Sequence, residues 1–105
     1  MPLYKMLCIA AHYPEYKYIK QLVTESAMLV MNQGGVVRSI NSLGRRTLPT
    51  RMRAHNVNHS VGDYWSMHFD ASPRLVHDLS RKMRQDPKVI RTTVLKLGHT
   101  LEDIV

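Results

Sequence analysis

The sequence predicts an α+β fold in the order β-α-β-β-α-β, a ferredoxin-like split βαβ arrangement with two helices on one face of a four-stranded antiparallel sheet. Two stretches show the apolar spacing of helices, and four have the composition or alternation of strands. The turn residues between these stretches fit that order. With 105 residues, 44% of them apolar, the chain is expected to form a single domain over residues 1–105 around one core.

The first predicted strand, Leu3–Ala11, is an apolar run interrupted only by Lys5. Apolar side chains fall on both of its faces, which is typical of a central strand. Pro14 suits the beginning of a helix, and the helical spacing continues to Met31. The predicted buried stripe of this helix consists of Ile19, Leu22, Val23, Ser26, Ala27 and Val30.

The second predicted strand follows the glycine pair Gly34-Gly35, which can end the helix because glycine adopts positive φ at little cost. Its apolar residues Val37, Ile40 and Leu43 recur at every third position, whereas a regular strand shows them at every second. A bulge near Ser39 would bring them onto one buried face. We therefore expect a long, bulged edge strand.

The chain between this strand and the next is polar and basic. Pro49 removes a backbone donor and so confines its strand to a sheet edge. Residues 50–62 carry arginines and histidines and are expected to form a long connection. Residues 63–69 then alternate cleanly and predict the third strand. Its inward side chains are expected to be Trp65, Met67 and Phe69.

The second helix has a specific start signal, Ser72 as a cap followed by Pro73 at the first helical position. Pro87 ends it, and residues 89–97, rich in Val, Ile and Thr, predict the last strand. Residues 98–105 are expected to form a loosely held tail. In this topology the first and third strands are central and the second and fourth are edges.

The charge balance points to a polyanion as partner. Lys and Arg number 15 against 8 Asp and Glu, a formal net charge of +7, and a small domain this basic is typical of nucleic-acid or anionic-membrane binding. No apolar run approaches the ~20 residues of a spanning helix, so no membrane span is expected. No cleavable presequence is visible, because the N-terminus leads directly into a strand.

The residues that could support catalysis are scattered. Cys8 is the only cysteine, so no internal disulfide can form, and its place in an apolar strand indicates a core residue. His55 and His59 lie close in sequence but lack the cysteine or carboxylate neighbours of a zinc site. No nucleophile, carboxylate pair or phosphate-binding glycine loop stands out. The sequence therefore predicts no enzyme, no metal, no cofactor and no small-molecule substrate.

Two groups of basic residues are candidates for nucleic-acid contact, one in the second strand with its following connection and one around the end of the second helix. Each phosphate that they neutralise should steepen the salt dependence of binding. A solvated helix face is the alternative interpretation for the second group. The predicted RNA-binding residues are Arg38, Arg45, Arg46, Arg51, Arg53, Lys88 and Arg91.

The sheet face opposite the helices is expected to be open and partly apolar, because the first strand is apolar on both sides. An open apolar face on a small basic domain indicates that a partner protein covers it, and we place Tyr4 and Tyr64 on this surface. Ordinary surface apolarity is the alternative. The same element order also occurs in the RNA-recognition motif, which stacks bases on aromatic residues of its first and third strands. A free-standing single-stranded RNA-binding domain is therefore the second functional hypothesis.

Over residues 3–97 the chain resembles the bacterial-type small-subunit ribosomal protein six family. The resemblance is carried by the Tyr4-Lys5-Met6 strand, by the Gly-Gly helix end, and by the strand leading to Leu43-Gly44-Arg45-Arg46-Thr47-Leu48. The aromatic strand at Tyr64 and the Ala-Ser-Pro helix start add to it. The most specific match is the segment Asp86-Pro87-Lys88-Val89-Ile90-Arg91-Thr92-Thr93-Val94-Leu95-Lys96.

This resemblance implies a structural, non-catalytic protein of the small ribosomal subunit that binds small-subunit ribosomal RNA in the platform region. It further implies a pairing with small-subunit ribosomal protein eighteen and contacts with neighbouring ribosomal proteins. Gly44, Arg45, Arg46 and Arg91 fall on family-typical positions. After Leu48 the family's usual Ala-Tyr-Pro-Ile is replaced by Pro-Thr-Arg-Met. The His- and Arg-rich stretch that follows and the strongly basic charge balance resemble the mitochondrial branch, which implies a place in the mitochondrial ribosome.

Overall fold

The computed structural model describes residues 2–98. Its elements, in chain order, are β1 Leu3–Ala11, α1 Tyr16–Asn32, β2 Val36–Ala54, β3 Val57–Asp70, α2 Pro73–Gln85 and β4 Val89–Gly98. The strands form one antiparallel sheet in the order β2-β3-β1-β4. The predicted fold is confirmed, and so are the central positions of β1 and β3. Most of the predicted tail, residues 99–105, lies outside the described part of the chain.

The core lies between the two helices and one face of the sheet. Alternation along β3 puts Trp65, Met67 and Phe69 on this face, as predicted, with exposures of 2% or less. They pack with Met6 and Cys8 of β1 and with one apolar stripe from each helix. Burial of an apolar side chain of this size contributes roughly 1.5–3 kcal/mol. The buried helix residues are Leu22, Ser26, Ala27, Val30, Leu75, Leu79 and Met83.

The helix ends follow the capping residues. The Ser72 hydroxyl accepts a hydrogen bond of 3.3 Å from the backbone N–H of Leu75, and Pro73 occupies the first helical position. At the other helix, α1 begins two residues after Pro14, without a side-chain cap. It ends before Gly34, whose φ of +86° is the left-handed conformation predicted for the glycine pair.

The irregular apolar spacing of β2 reflects two bulges. The pairing with β3 shifts once between Val37 and Ser39, which confirms the predicted bulge, and again between Ser42 and Gly44. The prediction of one buried face is only partly correct. Ile40 lies opposite Met67 on the helix side of the sheet but remains 42% exposed, and Leu43 is 41% exposed at the second bulge. Both side chains belong to the edge strand, where cover by the helices is incomplete.

The prediction of a long connection over residues 50–62 is wrong. These residues are the outer part of a hairpin in which β2 and β3 continue to a two-residue turn, His55-Asn56. Both turn residues have positive φ, +50° and +65°, as a type I′ turn requires, and its twist matches that of paired strands. His and Asn are among the few non-glycine residues enriched in this conformation. The chain therefore turns here without the glycine that usually signals such a hairpin.

We refer to residues 45–62 as the hairpin arm. The last pair between β1 and β3 is Ala11 with Gly62, so the outer part of β3 is paired with β2 alone. Within the arm the register slips between Thr47 and Met52, and Pro49 lies in this slip, where its missing N–H removes no regular pair. Leu48 beside it is only 6% exposed.

Candidate nucleic-acid interface

The structure corrects one residue of the predicted partner surface. Tyr4 lies opposite Phe69 on the helix side of the sheet, its ring stacks on that of Phe69 with centroids 5.8 Å apart, and it is 7% exposed. Alternation along β1 puts Tyr4 on the same side as Met6 and Cys8, which are fully buried. The prediction that Tyr4 faces a partner protein is therefore wrong.

The open face of the sheet carries the other side of the same strands. Ile9 of β1 lies opposite Tyr64 of β3, and Lys5 lies opposite Leu95 of β4. Tyr64 is half-buried, while Leu95 is 57% exposed. Among Phe, Tyr and Trp residues, Tyr64 is the only one that the described strands place on this face, and β1 places none there. An RNA-recognition motif needs stacking aromatics on both central strands, so the structure does not support that second hypothesis.

The hairpin arm concentrates positive charge. No Asp or Glu lies between Glu25 and Asp63 in the sequence, so the arm carries no carboxylate on either strand before Gly62. The guanidinium groups of Arg45, Arg46 and Arg51 make no ion pair with any residue in the range 2–98. Arg46 donates a hydrogen bond of 3.2 Å from Nε to the backbone carbonyl of Leu43, on the second bulge of β2.

Asp63, at the base of the arm, lies opposite Arg45 but is bound elsewhere. His12 Nδ1 lies 3.0 and 3.1 Å from its two carboxylate oxygens. The side chain of Arg45 is exposed, and its charge remains available to a ligand. The arm thus presents several exposed arginine side chains, whose guanidinium groups suit the geometry of phosphate oxygens.

Arg38 has a different environment from the arginines of the arm. It contacts Asp70 Oδ2 through Nε and through a terminal nitrogen, each at 2.7 Å. The hydrogen bond and the charge of Asp70 raise the pKa of Arg38 above its usual value. This pair joins the first bulge of β2 to the end of β3, at the opposite end of β2 from the arm. The structure does not bring Arg38 together with the other predicted RNA-binding residues.

Lys88 is also already paired. Its Nζ lies 3.3 Å from Asp86 Oδ1, and its side chain is only 20% exposed. Asp86 in addition accepts a hydrogen bond of 2.9 Å from the backbone N–H of Lys88. The interaction fixes the turn between α2 and β4, so Lys88 offers less charge to a ligand than the sequence indicates.

The two predicted basic groups meet in one place. A pocket of about 230 Å³ lies where the tip of the hairpin arm reaches the end of α2 and the beginning of β4. We refer to it as the tip pocket. Its basic lining residues are Arg53 and His55 from the arm, Arg84 from α2 and Arg91 from β4. Arg53 and Arg91 are predicted RNA-binding residues; the structure adds His55 and Arg84.

His55 and Arg84 are visible in the sequence as members of basic stretches, but nothing in the sequence joins them. Arg84 closes the basic side of α2, and His55 stands in a segment predicted as a connection. Their proximity depends on the hairpin arm passing beyond the last β1–β3 pair and reaching β4. A tertiary contact of this kind leaves no local pattern in the sequence.

The one thiol has no exposed, reactive environment. Cys8 is fully buried, and burial raises the pKa of its thiol to about 12, so the nucleophilic thiolate is disfavoured.

No group of three potential metal ligands occurs within residues 2–98. In the same part of the chain, none of the helices has both the length and the apolar character needed to cross a membrane.

Comparison with known proteins agrees with this architecture. The sequence matches the family model of ribosomal protein S6 over residues 3–96. A relative named small ribosomal subunit protein bS6m from Neurospora crassa is 40% identical over 80 residues, which are 76% of this chain and 68% of the relative. The protein of the same name from Bos taurus is 36% identical over 104 residues, 97% of this chain and 82% of the relative.

A solved structure shows the same fold. The crystal structure of 30S ribosomal protein S6 from Thermotoga maritima superposes with a TM-score of 0.80, covering 90% of this chain and 86% of that one, at 18% sequence identity. The resemblance seen in the strand and turn motifs is thus confirmed by overall sequence and by fold. The chain belongs to the ribosomal protein S6 family, a family of structural and non-enzymatic ribosomal proteins, and within it to the mitochondrial small-subunit members.

Proposed function

We propose that this protein binds small-subunit ribosomal RNA through the hairpin arm and, together with small-subunit ribosomal protein eighteen, supports assembly of the platform of the mitochondrial small subunit. The observation that carries the proposal is the positive charge of the arm. The sequence contains no carboxylate between Glu25 and Asp63, so nothing within the arm offsets its arginines. Arg45, Arg46 and Arg51 extend from it without ion pairs inside the described chain.

The distribution of carboxylates supports the assignment to the arm rather than to the helices. Where acidic side chains occur in residues 2–98, most lie beside a basic partner: Asp70 beside Arg38, Asp78 beside Arg81 and Asp86 beside Lys88. Within the described chain, the arm combines several arginines that have no such partner and contains no carboxylate. Neutralising phosphates with unpaired arginines releases counterions from the RNA, which is the main source of affinity for a polyanion.

The open sheet face supports the protein partner. Leu95 is 57% exposed there, and the half-buried Tyr64 adds apolar surface on β3, whereas Ile9 opposite Tyr64 is only 8% exposed. The arm extends beyond the last pair of β1 with β3, Ala11 with Gly62, so most of it lies outside this face. Pairing with protein eighteen is the partnership that the family resemblance implies.

The test is incorporation of a tagged protein into the small subunit. We expect Arg45→Ala with Arg46→Ala to lower incorporation roughly 10- to 100-fold, because each lost charged hydrogen bond costs about 1.5 kcal/mol or more. The matched control is Lys17→Ala with Lys20→Ala, which removes the same charge from α1. The measurement is the ratio of tagged protein in small-subunit fractions to free protein after sedimentation. Equal incorporation of the two double variants would show that the arm does not contact the RNA.

A further inference from the structure

We propose that the tip pocket is a binding site for one phosphate group of the RNA backbone, and that this phosphate holds the hairpin arm against α2 and β4. The assignment of RNA as the source of the phosphate rests on the function proposed above. The capacity of the pocket to bind phosphate does not, and the experiment below separates the two.

The lining combines three arginines and a histidine from three parts of the fold, namely the hairpin tip, α2 and β4. Among the described residues, no carboxylate lines the pocket. The nearest acidic residue along the chain, Asp86, is occupied by Lys88 at 3.3 Å and by the Lys88 backbone N–H at 2.9 Å. Within residues 2–98, the cations of the pocket therefore lack a counter-charge, and an anion must come from outside.

The chemistry of the pocket suits phosphate. Arg53, Arg84 and Arg91 each carry several donors in a planar fork whose geometry matches phosphate oxygens. Most of the remaining lining residues are apolar, which strengthens charged hydrogen bonds made above them. The volume of about 230 Å³ leaves room for a phosphate group, since a single water needs only about 10–15 Å³ of such space.

The position of the pocket explains why binding would order the arm. One wall, Arg53 and His55, belongs to the hairpin tip, which lies beyond the last pair of β3 with β1. The other wall belongs to α2 and β4, which are anchored to the core through Met83 and Val89. Without an anion the like charges on the two walls repel each other. A phosphate between the walls attracts the positive charges of both and so holds the walls together.

The experiment is a titration of the ¹⁵N-labelled protein with sodium phosphate, compared with sodium chloride at matched ionic strength. We expect phosphate alone to shift the backbone amide signals of residues 53–57 and 89–92, and to slow their hydrogen exchange. Arg84→Gln and Arg53→Gln should each abolish these shifts, while Arg74→Gln, a control on the exposed first turn of α2, should retain them. The proposal is overturned if phosphate causes no shifts, if chloride causes the same shifts, or if Arg84→Gln retains the shifts of the wild type.

The source of the phosphate is tested by incorporation of Arg84→Gln into small subunits at increasing salt. A backbone contact predicts weaker incorporation and a salt dependence reduced by about one charge. If phosphate shifts the pocket signals but Arg84→Gln incorporates like the wild type, the site binds a free anion and the RNA assignment is overturned. If the double variant Arg45→Ala with Arg46→Ala incorporates normally and phosphate still shifts the pocket signals, the proposed function is wrong, but the pocket remains a phosphate-binding site.

Discussion

Two adjacent glycines show how single residues position the basic strand. Gly34 has a φ of +86°, and a Cβ added to it would meet no heavy atom within 4 Å. For Gly35, a Cβ would lie 2.7 Å from Val30 Cγ1 and 2.8 Å from the carbonyl oxygen of Asp70. Gly34 is therefore required by backbone conformation, and Gly35 by the close approach of β2 to β3 and α1.

Substitutions at these two positions should distinguish the need for a positive φ at Gly34 from the need for a small residue at Gly35. We expect Gly34→Ala to lower the free energy of unfolding by about 1 kcal/mol, and Gly34→Asn by about half as much, because Asn tolerates positive φ. We expect Gly35→Ala to cost about 1–3 kcal/mol, and Gly35→Asn at least as much, because a backbone carbonyl cannot move aside. Urea unfolding of the four variants is the measurement. Recovery of stability in Gly35→Asn would contradict the steric explanation.

At the scale of elements, the sequence is informative wherever a local pattern coincides with burial. Alternation over residues 63–69 and the Ser72-Pro73 start of α2 are sufficient to place the inner part of β3 and the start of that helix, because burial and capping act over a few residues. The apolar spacing of β2 correctly indicates a bulge. The predicted face of Tyr4 is wrong, because both sides of β1 are apolar and the sequence does not say which side the helices cover.

The sequence does not predict the hairpin arm, because its turn lacks the glycine-containing dipeptide that usually marks such a turn. Asn-Gly or Asp-Gly marks most type I′ turns, whereas here His55 and Asn56 both adopt positive φ. The arm's polar, arginine-rich strands also lack a buried face that would enforce alternation. The tip pocket depends on this arm, so its individual basic residues can be read from the sequence but their arrangement cannot.

The turn conformation can be tested within the arm. We expect Asn56→Gly to stabilise the arm by about 0.5 kcal/mol, and Asn56→Val to destabilise it by about 1–2 kcal/mol, because a β-branched residue strongly disfavours a φ of +65°. The control is Asn58→Val, the same change at an extended position opposite Arg53, which should be nearly neutral. Amide hydrogen exchange across the arm is the measurement. Equal loss of protection in the two Val variants would contradict the left-handed turn.

At the scale of the whole molecule, the fold separates three surfaces. The helices cover one sheet face and form the core, the opposite face retains exposed apolar groups such as Leu95, and positive charge extends along the hairpin arm to one end. Both helices of the split βαβ fold lie on the same side of the sheet, so they leave the other sheet face uncovered. The arm extends the edge strand beyond the last pair of β1 with β3, so most of it lies outside that face.

This separation predicts that protein pairing and folding can be uncoupled. We expect Leu95→Asp to prevent association with the partner protein and to change the free energy of unfolding by no more than about 0.5 kcal/mol, since the side chain is 57% exposed. Met28→Asp is the matched control, because Met28 is 45% exposed on α1, away from the open face. Co-purification with protein eighteen and urea unfolding give the two readouts. If the two variants associate equally well, the open face is not the pairing surface, and the apolar residues on β1, β3 and β4 are ordinary exposed groups.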